Sequence, residues 1–316
     1  MALSKTTSIT VVGSINKDFV VRADHLPAPG ESVVGTEFFQ AFGGKGANQA
    51  VGISRLTDAK VHFVGAVGAD DIGREALTSL HENGIQTEHV CVIDNVTSGV
   101  ALIMLDAQGE NCISAAPGAN EFVDVDYVKS LPEEFFSGTS LMVVCQEIPL
   151  EAIEVVVARS AQFSVPILFN PAPPNPRLKH SQILQQVDFL TPNETEVTAI
   201  TGVQIGSADD SESKILALKK LRDHGATSIA MTMGKAGCYV FDSKTMSSEQ
   251  EAVQVPAPVV NALDTTAAGD SFNAALAVAL SEGKDFVDAC VWANQVAAIS
   301  VTRKGAQPSL PYRQEI

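Results

Sequence analysis

Positive charge and aromatic rings are both scarce in this chain. Across 316 residues there are 21 Lys and Arg against 37 Asp and Glu, for a formal charge of -16, and only one Trp and 3 Tyr. The shortage of basic residues argues against a broad nucleic-acid footprint and against an electrostatic hold on an anionic membrane. It leaves room for an anionic small molecule, because a local nest of backbone amides binds phosphate even inside an acidic protein. Cysteine is sparse and scattered: Cys91, Cys112, Cys145, Cys238 and Cys290 form no Cys-x-x-Cys pair and are odd in number. Free thiols in a reducing, cytoplasmic compartment are expected rather than a disulfide framework. The six histidines are equally dispersed and show no zinc spacing. No apolar run approaches membrane length. The opening MALSKTTSITVVG has only the short run Ile9 to Val12, which reads as a first buried strand rather than a signal sequence.

What the chain does have is a 45% hydrophobic content and a regular alternation of apolar strands with amphipathic helices. Strands are expected at Ile9–Gly13, Val61–Gly65, Leu141–Cys145, Val165–Phe169, Asp188–Thr191, Ile229–Thr232 and Cys238–Phe241. Helices are expected after Asn48 and over 71–83, 150–162, 212–224, 271–281 and 285–300. This alternation predicts one large α/β domain, a mostly parallel central sheet covered on both faces. Two stretches break the rhythm. Residues 19–41 hold Phe19–Arg22 and Ser32–Gly35 around Pro27-Ala28-Pro29-Gly30, and residues 97–115 hold Gly99–Leu105 and Asn111–Ala115 around Asp106-Ala107-Gln108-Gly109. Both read as strand pairs that build a small separate sheet, suited to a lid, a dimer surface, or both.

The most informative segment is Asp264-Thr265-Thr266-Ala267-Ala268-Gly269-Asp270, with two carboxylates six residues apart and an apolar helix pattern following. Ala268 and Gly269 turn the chain into a helix whose first turn carries Asp270. Free amides at such an end hold phosphate, and a carboxylate beside them suits a base that deprotonates an alcohol. The plain alternative is that Asp270 only caps the helix. Gly43-Gly44-Lys45-Gly46-Ala47-Asn48 is Gly-rich but departs from the Walker spacing. It is either a tight strand-to-helix turn or a place where a ligand approaches backbone closely, with Asn48 available to a hydroxyl. Asn16, Asp18 and Glu147 each follow an apolar strand, where polar side chains line a ligand crevice. Asp18 suits two sugar hydroxyls, or an Asx turn. Asn193 and Glu196, three apart, suit water-mediated Mg²⁺ or ordinary helix capping. Thr232 to Gly237 is a Gly-containing turn, a weak signal alone.

In this order the motifs resemble the ribokinase-like (PfkB) family of sugar and nucleoside kinases. The resemblance rests on Gly43 to Asn48 and Asp264 to Asp270, extended by Gly13-Ser14-Ile15-Asn16-x-Asp18, Thr191-Pro192-Asn193-Glu194-x-Glu196 and Val301 to Ser309. It covers nearly the whole chain. It implies a three-layer αβα sandwich with a small β lid. Residues 1–18, 42–96 and 116–316 would form the catalytic body, and 19–41 and 97–115 the lid and homodimerisation region. It further implies ATP-dependent phosphorylation of D-ribose at the 5-hydroxyl, with 2-deoxyribose, fructose or a nucleoside as alternative acceptors. A noncatalytic sugar-binding protein is the alternative outside the enzymes. The resemblance assigns ribose to Asn16, Asp18, Gly44, Lys45, Asn48 and Glu147, and ATP to Asn193, Thr232, Gly234, Gly237, Gly269 and Asn294. Asp270 becomes the base, with the Ala268, Gly269 and Asp270 amides stabilising charge. Mg²⁺ would be held through water by Asn193 and Glu196. K⁺ would be held by Asp264, Thr266, Ser300, Arg303, Gly305 and Ser309, mostly through carbonyl oxygens. Asn294 departs from the family, which often carries a His there.

Overall fold

The structure is a computed structural model describing residues 8–108, 110–206 and 210–316. In chain order the elements are β1 (Ser8–Val12), β2 (Asn16–Arg22), β3 (Glu37–Gly43), α1 (Lys45–Leu56), β4 (Lys60–Gly68), α2 (Asp71–Glu82), β5 (Gln86–Ile93), β6 (Gly99–Leu105) and β7 (Asn111–Ala116). There follow α3 (Val125–Ser130), α4 (Glu133–Ser137), β8 (Leu141–Cys145), α5 (Leu150–Gln162), β9 (Ile167–Asn170), β10 (Phe189–Leu190), α6 (Glu194–Thr201) and α7 (Ser211–Asp223). The last are β11 (Ser228–Thr232), β12 (Cys238–Asp242), β13 (Val253–Val255), α8 (Ala268–Ser281) and α9 (Phe286–Ser300).

Every residue of β1 and β8 is buried, and side chains alternate between the two faces. Ile9, Val11, Leu141 and Val143 point into a cluster with Ile53 of α1, Leu276 of α8 and Ala293 of α9. Val12, Met142 and Val144 point the other way, onto Ile153 of α5 and Leu218 of α7. Each such Ile, Leu or Val contributes about 1.5–3 kcal/mol over leaving it in water. Burial on both faces thus makes the three layers. The central sheet runs β13-β12-β11-β10-β9-β8-β1-β4-β5. Its strands from β11 to β5 are parallel, with β12 and β13 antiparallel at one edge. Among the described residues no helix is long and apolar enough to cross a membrane.

The second sheet is β3-β2-β6-β7, separate from the first. Its pairs differ from expectation in one strand. Ser32–Gly35 lies in the loop of residues 23–36, and Glu37–Gly43 pairs antiparallel with β2 instead. Phe38, Phe39 and Phe42 suit a pleated strand, and the ladder they form runs on to pair Gly43 with Asn16. The sheet therefore reaches past residues 18 and 42, so Asn16 and Asp18 are themselves part of it. Gly109, in the expected connection Asp106-Ala107-Gln108-Gly109, lies outside the described residues, as do Met1–Thr7. Phe38, Leu102 and Ile113 of this sheet are exposed. Strand β5 was not anticipated, because Gln86, Glu88 and His89 interrupt its apolar pattern at a sheet edge; β13, α3 and α4 were likewise missed.

One close approach sets the geometry around the loop Gly43 to Asn48. A Cβ on Gly46 would lie 2.7 Å from the Cα and carbonyl carbon of Gly13, so the start of α1 rests directly on the end of the first strand. Gly46→Ala should cost roughly 1–3 kcal/mol of stability through overpacking, read as a lower midpoint in urea denaturation; an unchanged midpoint would show that the backbones can part freely.

Candidate active site

Three separated pieces of chain meet at the carboxyl end of the parallel sheet. The first is the passage from β1 into β2. Asn16 and Asp18 are two apart on β2 and share a face. Asn16 Oδ1 accepts from Asn120 Nδ2 at 2.9 Å, and Asn120 is itself locked to both backbone groups of Ile15. Asp18 lies across Gly43, where an added Cβ would fall 2.2 Å from its Oδ2. The second piece is the start of α1. Gly44 has φ 88, a left-handed conformation that glycine adopts without strain, and hands the chain to Lys45. The Lys45 N–H donates to Glu147 Oε2 at 3.0 Å, and Ser14 Oγ donates to the same oxygen at 2.5 Å. One oxygen of Glu147 thus fastens the two loops together, a task the sequence did not reveal. The third piece is the start of α8, after Ala267 in the left-handed region at φ 60.

Asp270 is buried and both its oxygens are held. Asn48 Nδ2 donates to Oδ2 at 2.9 Å and Gln49 Nε2 to Oδ1 at 3.1 Å. Burial raises its pKa, against the pull of the Lys45 ammonium and the two amide donors; Glu147 pushes it further up. Burial alone would discharge Lys45, yet the carboxylates of Asp270, Glu147 and Glu196 raise its pKa instead. Asp18 is lifted to about 6, first by burial and then by Glu147 and Asp270. Three carboxylates thus act on the Lys45 ammonium, and a fourth, Asp18, is coupled to two of them.

On the far side of Asp270 is a cavity of about 220 Å³ lined by Lys45, Asn193, Glu196, Thr232, Gly269 and Asp270, among others. Expected to be wholly free, the amides of the α8 turn are not: Ala268 N–H donates to Thr265 O at 3.2 Å. The Gly269 and Asp270 amides have no hydrogen-bond acceptor among the described residues. A Cβ on Gly269 would meet nothing within 4 Å, so it borders open space. Asn193 and Glu196 form a capping box at α6: Glu196 N–H donates to Asn193 Oδ1, and the Asn193 backbone and side-chain N–H groups donate to Glu196 Oε2 and Oε1. The capping alternative is therefore realised, while both residues still line the cavity. Burial raises the Glu196 pKa, partly offset by the Asn193 amide and Lys45.

Thr265 and Ala268 also line a second cavity of about 370 Å³, with Gly234, Pro258, Val260 and Asn294. Its largely apolar wall suits a flat ring. Asn294 Nδ2 donates to Val255 O at 3.0 Å and lies 3.6 Å from Cys238 Sγ, so it ties α9 to the sheet edge. Gly237 closes the β11–β12 turn on Gly234 and does not line either cavity.

Of the residues expected around K⁺, Thr266 and Gly305 are joined by the Asp264 carboxylate. Asp264 Oδ1 accepts from Thr266 N–H and Oδ2 from Gly305 N–H, both at 2.9 Å. Burial opposes ionisation there, but these amides and Arg22 hold the Asp264 pKa low. Ser300 and Ser309 hydroxyls donate to carbonyls three residues back and keep their oxygen lone pairs, and Arg303 pairs with Glu315. Backbone oxygens of the two loops remain available, which fits the donor set that a K⁺ site needs. Among the described residues no group of His, Cys, Asp and Glu is assembled to hold a metal directly. All five cysteines are free.

Sequence reasoning missed Gln49, Asn120 and Asn170. Gln49 carried a signal, a polar residue beside Asn48 on a helix that is otherwise buried there; Asn170 carried one too, directly after the apolar strand Val165–Phe169, and Asn120 carried none.

Fold and site together define a sugar kinase of the α/β type, and the chain belongs to the pfkB family of carbohydrate kinases, matching it over residues 6–313. A Bacillus subtilis ribokinase is 38% identical over 309 residues, covering 98% of this chain and 98% of the relative. A Salmonella typhi deoxyribokinase is 34% identical over 303 residues, covering 96% and 95%. The solved structure of Arabidopsis thaliana ribokinase complexed with ribose and ATP superposes with a TM-score of 0.82 at 29% identity, covering 98% and 96%.

The strain on Asp18 has a measurable sign. Its pKa of about 6 against an ordinary 3.8 makes its ionisation cost the folded state about 3 kcal/mol. The cost is full above pH 6, shrinks as pH falls from 6 towards 3.8, and is absent below. Asp18→Asn should therefore melt higher than the unaltered protein at pH 8, with the gap closing by pH 4. A gap that does not change with pH would refute the electrostatic origin.

Proposed function

We propose that this chain transfers the γ-phosphoryl group of ATP to the 5-hydroxyl of D-ribose, giving D-ribose 5-phosphate and ADP. The observation that carries the reading is the buried Asp270 carboxylate, placed between the Asn16–Asp18 cluster and two unbonded helix-end amides. Ribose is held by Asn16, Asp18, Gly44, Lys45, Asn48 and Glu147. Its 5-hydroxyl oxygen attacks the γ-phosphorus, its proton passes to Asp270, and the bond from that phosphorus to the ADP oxygen breaks. The Gly269 and Asp270 amides and Lys45 meet the charge on the transferred group. Adenine occupies the larger cavity against Asn294, with Thr232, Gly234 and Gly237 shaping the turn beside it. Mg²⁺, when bound with ATP, neutralises phosphate charge; Asn193 and Glu196 would hold it through water. K⁺ belongs at the loops joined by Asp264, with Thr266, Ser300, Arg303, Gly305 and Ser309 offering mainly carbonyls. The small sheet serves as lid, excluding water as a competing acceptor. Its exposed Phe38 and Leu102 favour a homodimer formed through it. The free thiols suit a cytoplasmic setting.

ADP release coupled to ribose, ATP and Mg²⁺ tests the reading. Ribose should exceed adenosine and fructose in kcat/KM. 2-Deoxyribose is the nearest rival acceptor, given the relative named deoxyribokinase. No ribose-dependent ADP would favour a sugar receptor. Asp270→Asn should fold, bind both substrates and lose about 10²–10⁴-fold in kcat; near-normal turnover would remove it as base.

For K⁺, activity at fixed ionic strength should rise severalfold when K⁺ replaces tetramethylammonium. Ordering of the Ala267–Gly269 turn by the ion is the reason. A flat response, in protein freed of retained K⁺, would remove this site and leave the kinase reading intact.

A further inference from the structure

The side chain of Gln49 is wholly buried on α1, on the face it shares with Gly46, Gly52, Ile53 and Leu56. Its single nitrogen makes two contacts, donating to Asp270 Oδ1 and to Asn170 Oδ1, each at 3.1 Å. An amide nitrogen has two hydrogens, so both bonds form together. The reversed amide would set Oε1 against two oxygens, so the orientation is forced. That orientation leaves Oε1 buried with no partner. A hydrocarbon of the same length would pack there without an orphaned oxygen, so space-filling does not account for the residue. Asn170 is itself anchored. Its Nδ2 donates to Thr191 O at 3.1 Å, Thr191 Oγ1 donates to Asn273 Oδ1 at 2.6 Å, and Asn273 Nδ2 donates to Gly269 O at 2.9 Å. The chain of bonds leaves the Asp270 carboxylate and returns to the backbone of the residue before it. All its members are buried side chains, apart from the Thr191 and Gly269 carbonyls.

We propose that Gln49, oriented by Asn170, is a positioning residue for the base: it pins Asp270 Oδ1 and favours the ionised carboxylate, leaving Oδ2, beside the sugar-side Asn48, to receive the hydroxyl proton. The proposal rests on the kinase reading above. In the folded protein the amide counters the burial that raises the Asp270 pKa. Other groups facing Asp270 are Lys45 on α1, Asp18 on β2, Cys145 at the end of β8, Glu147 beyond it and Glu196 on α6. Changing Gln49 or Asn170 leaves all of them in place.

The test is the pH profile of kcat at saturating ribose and ATP, where Asp18 is already engaged by sugar. Absence of ribose-dependent ADP release from the unaltered protein would defeat the kinase reading itself. Given that activity, Gln49→Met should move the acid limb of kcat upward by about one pH unit. On the acid side that is about a tenfold loss, with the KM for ribose changed less than about twofold. Asn170→Ala should move the limb in the same direction by less, because Gln49 is freed to turn. A lower kcat with an unmoved limb in both would reduce Gln49 to a packing role and overturn the proposal. Should either variant fail to give a cooperative melt, the unaltered protein decides. The Gln49 side-chain ¹⁵N–H resonance, assigned through its bonds, should titrate with the midpoint of the kcat limb. A resonance indifferent to pH across that limb overturns the proposal.

Discussion

Everything at this site depends on how closely α1 and α8 pack. A Cβ on Gly52 of α1 would lie 2.6 Å from the Ala274 Cβ of α8. Ala47, Ala50, Ala274, Ala275 and Ala277 are likewise buried, so the two helices meet through small side chains. Both start at the same end of the parallel sheet. Their first turns therefore converge, and Asn48 reaches Asp270 across 222 positions of sequence. Larger residues along this seam would push the helix starts apart and leave the carboxylate with one amide donor or none. The glycine contact between Gly13 and Gly46 does the same for the sugar side, seating α1 against the first strand.

The electrostatics follow from that convergence. Glu147, Glu196 and Asp270 are gathered near Lys45, with Asp18 coupled to Glu147 and Asp270, in a protein of formal charge -16. A polyphosphate approaching such a site meets repulsion unless positive groups are aimed at it. Among the described residues, Lys45 and the unbonded Gly269 and Asp270 amides are positive groups that border the cavity beside Asp270. The same crowding explains why Asp18 sits far above an ordinary carboxylate. On the reading proposed above, a hydroxyl donating to Asp18 would relieve that cost and couple acceptor binding to stability.

Much of the fold was legible because its signals are local. Runs such as Leu141–Cys145 are apolar at every position, so burial on both faces, and hence a parallel sheet with helices above and below, follows from the pattern itself. The mixed pattern of β5 hid an edge strand, since one side of such a strand needs no apolar cover. The second lid strand was displaced from Ser32–Gly35 to Glu37–Gly43 because pairing with β2, rather than local composition, selects it. Asn193 and Glu196 were legible as a pair but not in role, because a capping box and a water-mediated metal site call for the same amide and carboxylate three residues apart.

The order and spacing of the polar residues at strand ends, and the acidic surface, belong to the sequence alone: they are set by neighbours along the chain and need no partner to be read. Which donors clasp Asp270 was decided only in three dimensions. Gln49 and Asn170 are 121 positions apart and meet where a helix seam faces the carboxyl end of a central strand. Hydrogen bonds of that kind have a range of about 3 Å and a strict direction, so they exist only once packing has brought the groups together, and nothing in either segment announces the other.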